Sequence, residues 1–197
     1  MIRLKAIIDR VPRAALFAAA GLLQMALIAW MVIDRVRILR TGTEVTLRTR
    51  PLDPRDFLRG DYVTLGYDIS TLPAGELEGT PFRTAVVFVK MAPDAEGFYK
   101  ALSVHAQPVA VSGAEVLIRG RAGSDDYCGS DPRAFCKTLR ITYGIEHYFV
   151  PEGEGRAIEQ ARNQGKVAIV AAVTPAGRAA IKRLVIDGKP VYEEPLF

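Results

Sequence analysis

Carboxylates are the residues in this chain whose spacing most suggests chemistry. Six of them gather in two short segments, with Asp53, Asp56 and Asp61 in one and Glu146, Glu152 and Glu154 in the other. Two carboxyl groups facing each other across a cleft, about 5–10 Å apart, can act as acid and base on a glycosidic or similar bond. The same oxygens could instead take a hard cation. In the plainer reading Asp53 and Asp56 cap a turn and the glutamates are solvated, which leaves Asp56, Asp61, Glu146 and Glu152 as weak catalytic candidates. No catalytic assignment follows from spacing alone.

Other chemistries find less support. The sequence has no GxSxG, P-loop, GxGxxG, HExxH or CxxC pattern. His105 and His147 stand at no ligand spacing, so no metal and no cofactor are expected. Arg59-Gly60-Asp61 before a strand is similar to the neighbourhood of type I signal peptidases. That family's nucleophile lies in a Ser-Met-x-Pro motif just after the anchor, whereas residues 34–59 contain no serine and the first is Ser70.

The elements that must position these groups read as mostly β. Glu44–Arg50 alternates apolar and polar residues. Asp53, Pro54, Asp56 and Gly60 then suit the cap, first turn and stop of a short helical turn presenting Asp56 and Arg59. From Gly60 the alternation predicts a strand with Val63, Leu65, Tyr67 and Ile69 on one face and Tyr62 on the other. Further strands are expected at 83–91, 98–105, 114–121, 138–150, 166–173, 178–186 and 191–194, with a helix over 154–164 and a loop over 71–82. Asp187-Gly188 is the strongest hairpin signal. The expected fold is mainly β, a compact barrel- or sandwich-like domain with one or two short helices.

Ahead of this domain lies Ala14–Ile33, 20 uncharged residues of which all but Gly21 and Gln24 are apolar. A helix of that length is about 30 Å long and matches a bilayer core. No small-x-small site follows, so it reads as an uncleaved signal anchor that engages the lipid bilayer. The expected organisation is a basic cytoplasmic terminus (1–13), a transmembrane anchor (14–33), a juxtamembrane linker (34–43) and an extracytoplasmic domain (44–197). The formal charge of +4 divides accordingly. Residues 1–50 hold nine basic and three acidic residues, the rest 17 and 19. A slightly acidic body speaks against a nucleic-acid partner.

Lysines and arginines flank the anchor on both sides and set no clear orientation. Cys128 and Cys136, the only cysteines, enclose the turn formers Gly129, Ser130, Asp131 and Pro132. They read either as two reduced thiols or as a disulfide; the bridge, adopted here, requires an oxidising compartment. The N-terminus is then cytoplasmic and the domain periplasmic, at a bacterial inner membrane.

Gly60-Asp61-Tyr62-Val63-Thr64-Leu65-Gly66-Tyr67 carries every fixed position of the motif that names the GDYXXLXY family. Pro51–Asp56, Leu58-Arg59, Tyr143–Glu146 and Tyr148–Gly153 resemble recurrent segments of the same family. The resemblance implies one membrane helix, an extracytoplasmic domain and partnership with a polytopic membrane protein; it implies no catalytic residue. Gly60, Leu65 and Tyr67 are expected to be structural. In the later segment the alternation places Ile145, His147 and Phe149 on one face and Glu146, Tyr148 and Val150 on the other. Asp56, Arg59, Asp61, Tyr62, Glu146, Tyr148 and Glu152 are therefore the candidates for a binding or interaction surface. The expected role is an accessory or interaction module, with an envelope hydrolase or a ligand- or cation-binding module as alternatives. Maleimide labelling of intact cells should modify neither cysteine before reduction and both after it. Labelling without reductant would place both thiols outside a bridge.

Overall fold

The computed structural model describes residues 12–50, 62–73, 86–123, 138–149 and 155–194. Helix α1 (Arg13–Thr41) comes first. Its 18-residue window of highest mean hydropathy, 2.2, is wholly exposed, and the helix is long and apolar enough to cross a membrane. Phe17, Leu22 and Trp30, among others, show most of their surface. The expected anchor, 14–33, falls within this helix, which continues to Thr41 through most of the stretch read as a juxtamembrane linker; β1 (Thr43–Arg50) follows.

The chain divides at Arg37, so the last turn of α1 belongs to the β domain. There Ile38 and Leu39 form a small apolar cluster with Ala172 and Ala180. Gly42 follows, donating its amide N–H to the Ile38 carbonyl (2.9 Å). A Cβ at Gly42 would lie 2.7 Å from that carbonyl oxygen and 2.9 Å from the backbone of Ala172 and Val173. No side chain fits between this turn and the neighbouring strand.

The remaining strands are β1 (Thr43–Arg50), β2 (Tyr62–Thr64), β3 (Gly66–Tyr67), β4 (Thr71–Pro73), β5 (Val87–Pro93), β6 (Tyr99–His105), β7 (Val116–Ala122), β8 (Thr138–Thr142), β9 (His147–Phe149), β10 (Val167–Val173), β11 (Ala179–Ile186) and β12 (Lys189–Glu193). Helix α2 (Gly155–Asn163) precedes β10. The strands form three antiparallel sheets, ordered β12-β11-β10-β1-β3, β2-β9 and β4-β8-β7-β5-β6. They do not close into a barrel among the described residues. The mainly β expectation is met, as an assembly of sheets around one core.

That core draws on all three sheets. Val45 and Leu47 of β1, Val63, Leu65 and Tyr67, Val87 and Val89 of β5, Ile118 of β7, and Ile169 and Ala171 of β10 are all buried in it. Each such aliphatic side chain contributes about 1.5–3 kcal/mol through burial. Strand β10 is buried along its whole length, and its lack of polar alternation is explained by cover on both faces. At the β11–β12 turn, Asp187 (φ 49°) and Gly188 (φ 77°) both take left-handed conformations, as a two-residue hairpin of this hand requires.

Three strand expectations are corrected. The single strand expected from Gly60 through Ile69 breaks at Leu65 into β2 and β3, and Asp68–Ser70 form a 3-10 turn. Thr71–Pro73, read as loop, pairs with β8. The single strand expected over 138–150 is interrupted between Thr142 and His147, where Gly144 has φ 79°. The short helical turn expected at 53–60 and the Cys128–Cys136 pair lie outside the described residues.

Gly42→Ala should lower the unfolding free energy by about 1–3 kcal/mol, because backbone cannot yield as a side chain can. Denaturant midpoints of the two proteins in lipid nanodiscs check this, and equal midpoints would contradict the close packing.

Candidate functional site

The two family-like segments meet in space, and each holds the other's backbone. Strands β2 and β9 pair with Tyr62 opposite Phe149, Val63 opposite Tyr148 and Thr64 opposite His147. The Leu65 amide N–H continues the contact by donating to the Glu146 carbonyl (2.7 Å). Tyr67, 1% exposed, donates its hydroxyl to the Ile145 carbonyl. In the other direction the buried Tyr143 donates its hydroxyl to the Ile69 carbonyl (2.6 Å). A buried carbonyl without a donor costs about 1–3 kcal/mol. Each phenol therefore satisfies a backbone group that the interrupted strands leave unpaired.

Glu146 fixes the turn between these anchor points. Its Oε1 accepts the Tyr143 amide N–H and its Oε2 accepts the Gly144 amide N–H (2.9 Å). Both carboxylate oxygens are thus engaged with backbone, in a side chain that is only half-buried. Burial pushes both phenols, Tyr67 and Tyr143, well above the usual tyrosine range, and the nearby Glu146 charge pushes them further. These hydroxyls are hydrogen-bond donors fixed in the neutral state.

Tyr148 departs from its expected face. It is 6% exposed, while His147 and Phe149 are exposed. Burial alternates unbroken from Ile141 to Ile145, and the phase slips by one residue over Glu146 and His147, so Ile145 and Tyr148 both point inward. The Tyr148 ring lies 6.4 Å from that of Tyr192, tilted by 59°. Burial, with a smaller contribution from Glu194, raises its pKa to about 12.

Helix α2 closes one side. Ile158 enters the core, and Arg162, one turn on, is buried with it. Its guanidinium donates to the Thr64 carbonyl (2.5 Å) and to Asn163 Oδ1 (3.2 and 3.3 Å). Burial lowers its pKa from the usual value, and the Glu159 charge opposes that shift. The sequence reading passed over Arg162, although its i+4 spacing from Ile158 put it on the inward face. It also passed over Tyr143, and over Arg48, whose guanidinium stacks on Phe98 at 4.1 Å and pairs with Glu96.

Of the other candidates, Asp56, Arg59, Gly60, Asp61 and Glu152 lie outside the described residues, and Tyr62 enters only through its backbone pairing. Leu65 and Tyr67 sit in the core. Among the described residues no group of three metal-ligating side chains occurs.

A helix able to cross a membrane, joined to a β domain whose Tyr67 and Tyr143 tie its own backbone together, defines a candidate membrane-anchored β protein. Residues 24–184 match the family model described as GDYXXLXY protein, and the chain belongs to that family. No curated protein and no solved structure matches it.

The buried phenols give the domain an alkaline limit. Unfolded tyrosines titrate near about pH 10. The folded pKa values are higher, so the unfolded chain binds fewer protons above pH 10, and stability must fall there as pH rises. For Tyr148 this contribution is complete below about pH 10 and is lost through about 12. Tyr143→Phe should cost about 1–3 kcal/mol at neutral pH by orphaning the Ile69 carbonyl. It should also flatten the alkaline fall. Urea titrations over a pH series check both, and an unchanged slope would remove Tyr143 from the account.

Proposed function

We propose that the chain is a membrane-anchored accessory domain, held on the extracytoplasmic side of a bacterial inner membrane with its N-terminus inside. In this reading it serves a polytopic membrane protein or another envelope component by interaction. The observation that carries it is the pairing of an exposed, apolar 29-residue helix with a β domain in which the described motif residues Leu65 and Tyr67, with Tyr143, are spent on its own architecture. Leu65 and Tyr67 build core, and Glu146 holds a turn by both oxygens.

That use of Glu146 also bears on the hydrolase reading. A general base needs a lone pair facing substrate, and here both carboxylate oxygens already face backbone amides. The acid–base reading would have to rest on Asp56, Asp61 and Glu152. A cation-binding role for the same acids has no specific observation in its favour.

Affinity isolation of the full chain from solubilised membranes tests the accessory reading. The expected result is a polytopic membrane protein that is enriched with the full chain and absent when an unrelated domain replaces residues 44–197. Equal recovery with both would overturn it.

A further inference from the structure

Helix α1 carries one polar side chain in the middle of its apolar stretch. Gln24 is the eleventh of the 20 uncharged residues Ala14–Ile33, so in a membrane-crossing helix its amide lies at the bilayer midplane, about 15 Å from water on either side. Two methylenes do not carry an amide that far, as the longer stem of a lysine or arginine near a helix end can. The side chain is exposed on the helix, and among the described residues its amide has no partner. It offers two N–H donors and a carbonyl acceptor to hydrocarbon, where unmet polar groups are costly. A bond back to its own helix can occupy one N–H and leaves the other groups unmet.

The surface around Gln24 suits a second helix. Ala20 and Gly21 lie one turn before it on the same face, and Leu27 and Ile28 lie one turn after, exposed beside it. A helical side chain leans over the turn that precedes it, so the amide lies over the two smallest residue types. Its own chain does not require glycine at 21, since a Cβ there would meet no atom within 4 Å. Glycine inside a helix is unfavourable by itself. Its bare backbone here lets another helix approach closely.

We propose that α1 pairs in the membrane with α1 of a second copy of this chain, through reciprocal hydrogen bonds between the two Gln24 amides. Across a two-fold axis each carbonyl oxygen accepts an N–H of the other copy, so the amide is its own complement. Depth decides for a second copy. Two copies anchored with their β domains on the same side bring Gln24 to the same level automatically. A polar group on another protein would have to be set at that depth by its own sequence. Ala20 and Gly21 let the two backbones come close enough for the bonds to form. This pairing needs α1 to cross the membrane, as in the function proposed above, and does not need the accessory role.

The test is energy transfer between donor- and acceptor-labelled full chains in phosphatidylcholine vesicles, under reductant so that Cys128 and Cys136 cannot link copies. Transfer should rise linearly with the acceptor fraction, as a dimer requires, and fall on dilution with lipid. Gln24→Leu should weaken the dimer about tenfold, through the loss of two interhelical hydrogen bonds, and Gln24→Asn, which keeps the amide, should retain most of it. Ala20→Leu fills the gap beside Gln24 and should also weaken pairing, while Ala19→Leu makes the same change on the opposite face and should not. Release of the wild-type chain by alkaline extraction would remove the membrane crossing and the pairing together. Retention with transfer no greater than random proximity gives would overturn the pairing alone, as would equal transfer in Gln24→Leu or equal effects of the substitutions at Ala19 and Ala20. A chain that is monomeric in these vesicles, and whose affinity isolate loses a polytopic protein on Gln24→Leu, would assign the face to that protein and equally overturn self-pairing.

Discussion

The domain depends on a reciprocal pair of tyrosine hydrogen bonds. Tyr67 reaches from the first family-like segment to the Ile145 carbonyl, and Tyr143 reaches from the second to the Ile69 carbonyl. Strands β2, β3 and β9 are two or three residues long, too short to pair all their backbone groups with one another. Buried carbonyls at the breaks need donors, because the core admits no bulk water. A tyrosine meets that need well. Its ring supplies apolar contact along its length, and its hydroxyl sits at the far end, where the carbonyl is. Phenylalanine would pack equally well and leave the carbonyl without a partner.

This arrangement explains why residues that look chemically active are quiet. Glu146 would suit a base in a solvated cleft, but two amide donors occupy its oxygens. Its charge then reinforces the clasp, since it disfavours phenolate at both tyrosines and so keeps their protons available for donation. Arg162 works in the same way from α2. Its buried guanidinium donates to the Thr64 carbonyl beside the β2–β3 break. Three side chains thus serve backbone acceptors at the points where strand pairing fails.

Much of the fold was legible because burial leaves a period in the sequence. Val63, Leu65, Tyr67 and Ile69 all lie on the inward face that alternation assigned them. The Asp187-Gly188 hairpin followed from its need for left-handed backbone. Legibility ended where the period slips. The phase slips by one residue over Glu146 and His147, where the turn runs into β9, so Tyr148 turned inward and His147 and Phe149 outward. The pairing of Thr71–Pro73 with β8 was hidden for a different reason. Three residues are too few to show a period, and the partner lies about seventy positions away. The interlock of the two segments was similarly out of reach, since a hydroxyl-to-carbonyl bond across 74 or 78 positions leaves no local pattern.

The charge division acquires a structural meaning from these contacts. The basic excess lies in residues 1–50, yet Glu44, Arg48 and Arg50 from that stretch are β1 residues paired within the domain. Glu44 receives Lys182 and Arg183, and the Lys182 hydrogen bond in particular holds its carboxyl below the usual range. A charge boundary drawn at residue 50 therefore falls inside the folded unit, which starts at Ile38. The same strand turns Val45 and Leu47 into the core and Thr46 and Arg48 onto the outer face. What alternation alone treats as the polar, solvent-facing half of β1 is in fact the wall of a cleft. Its arginine is held by a ring and a carboxylate, and those partners come from the β5–β6 connection, far away in sequence.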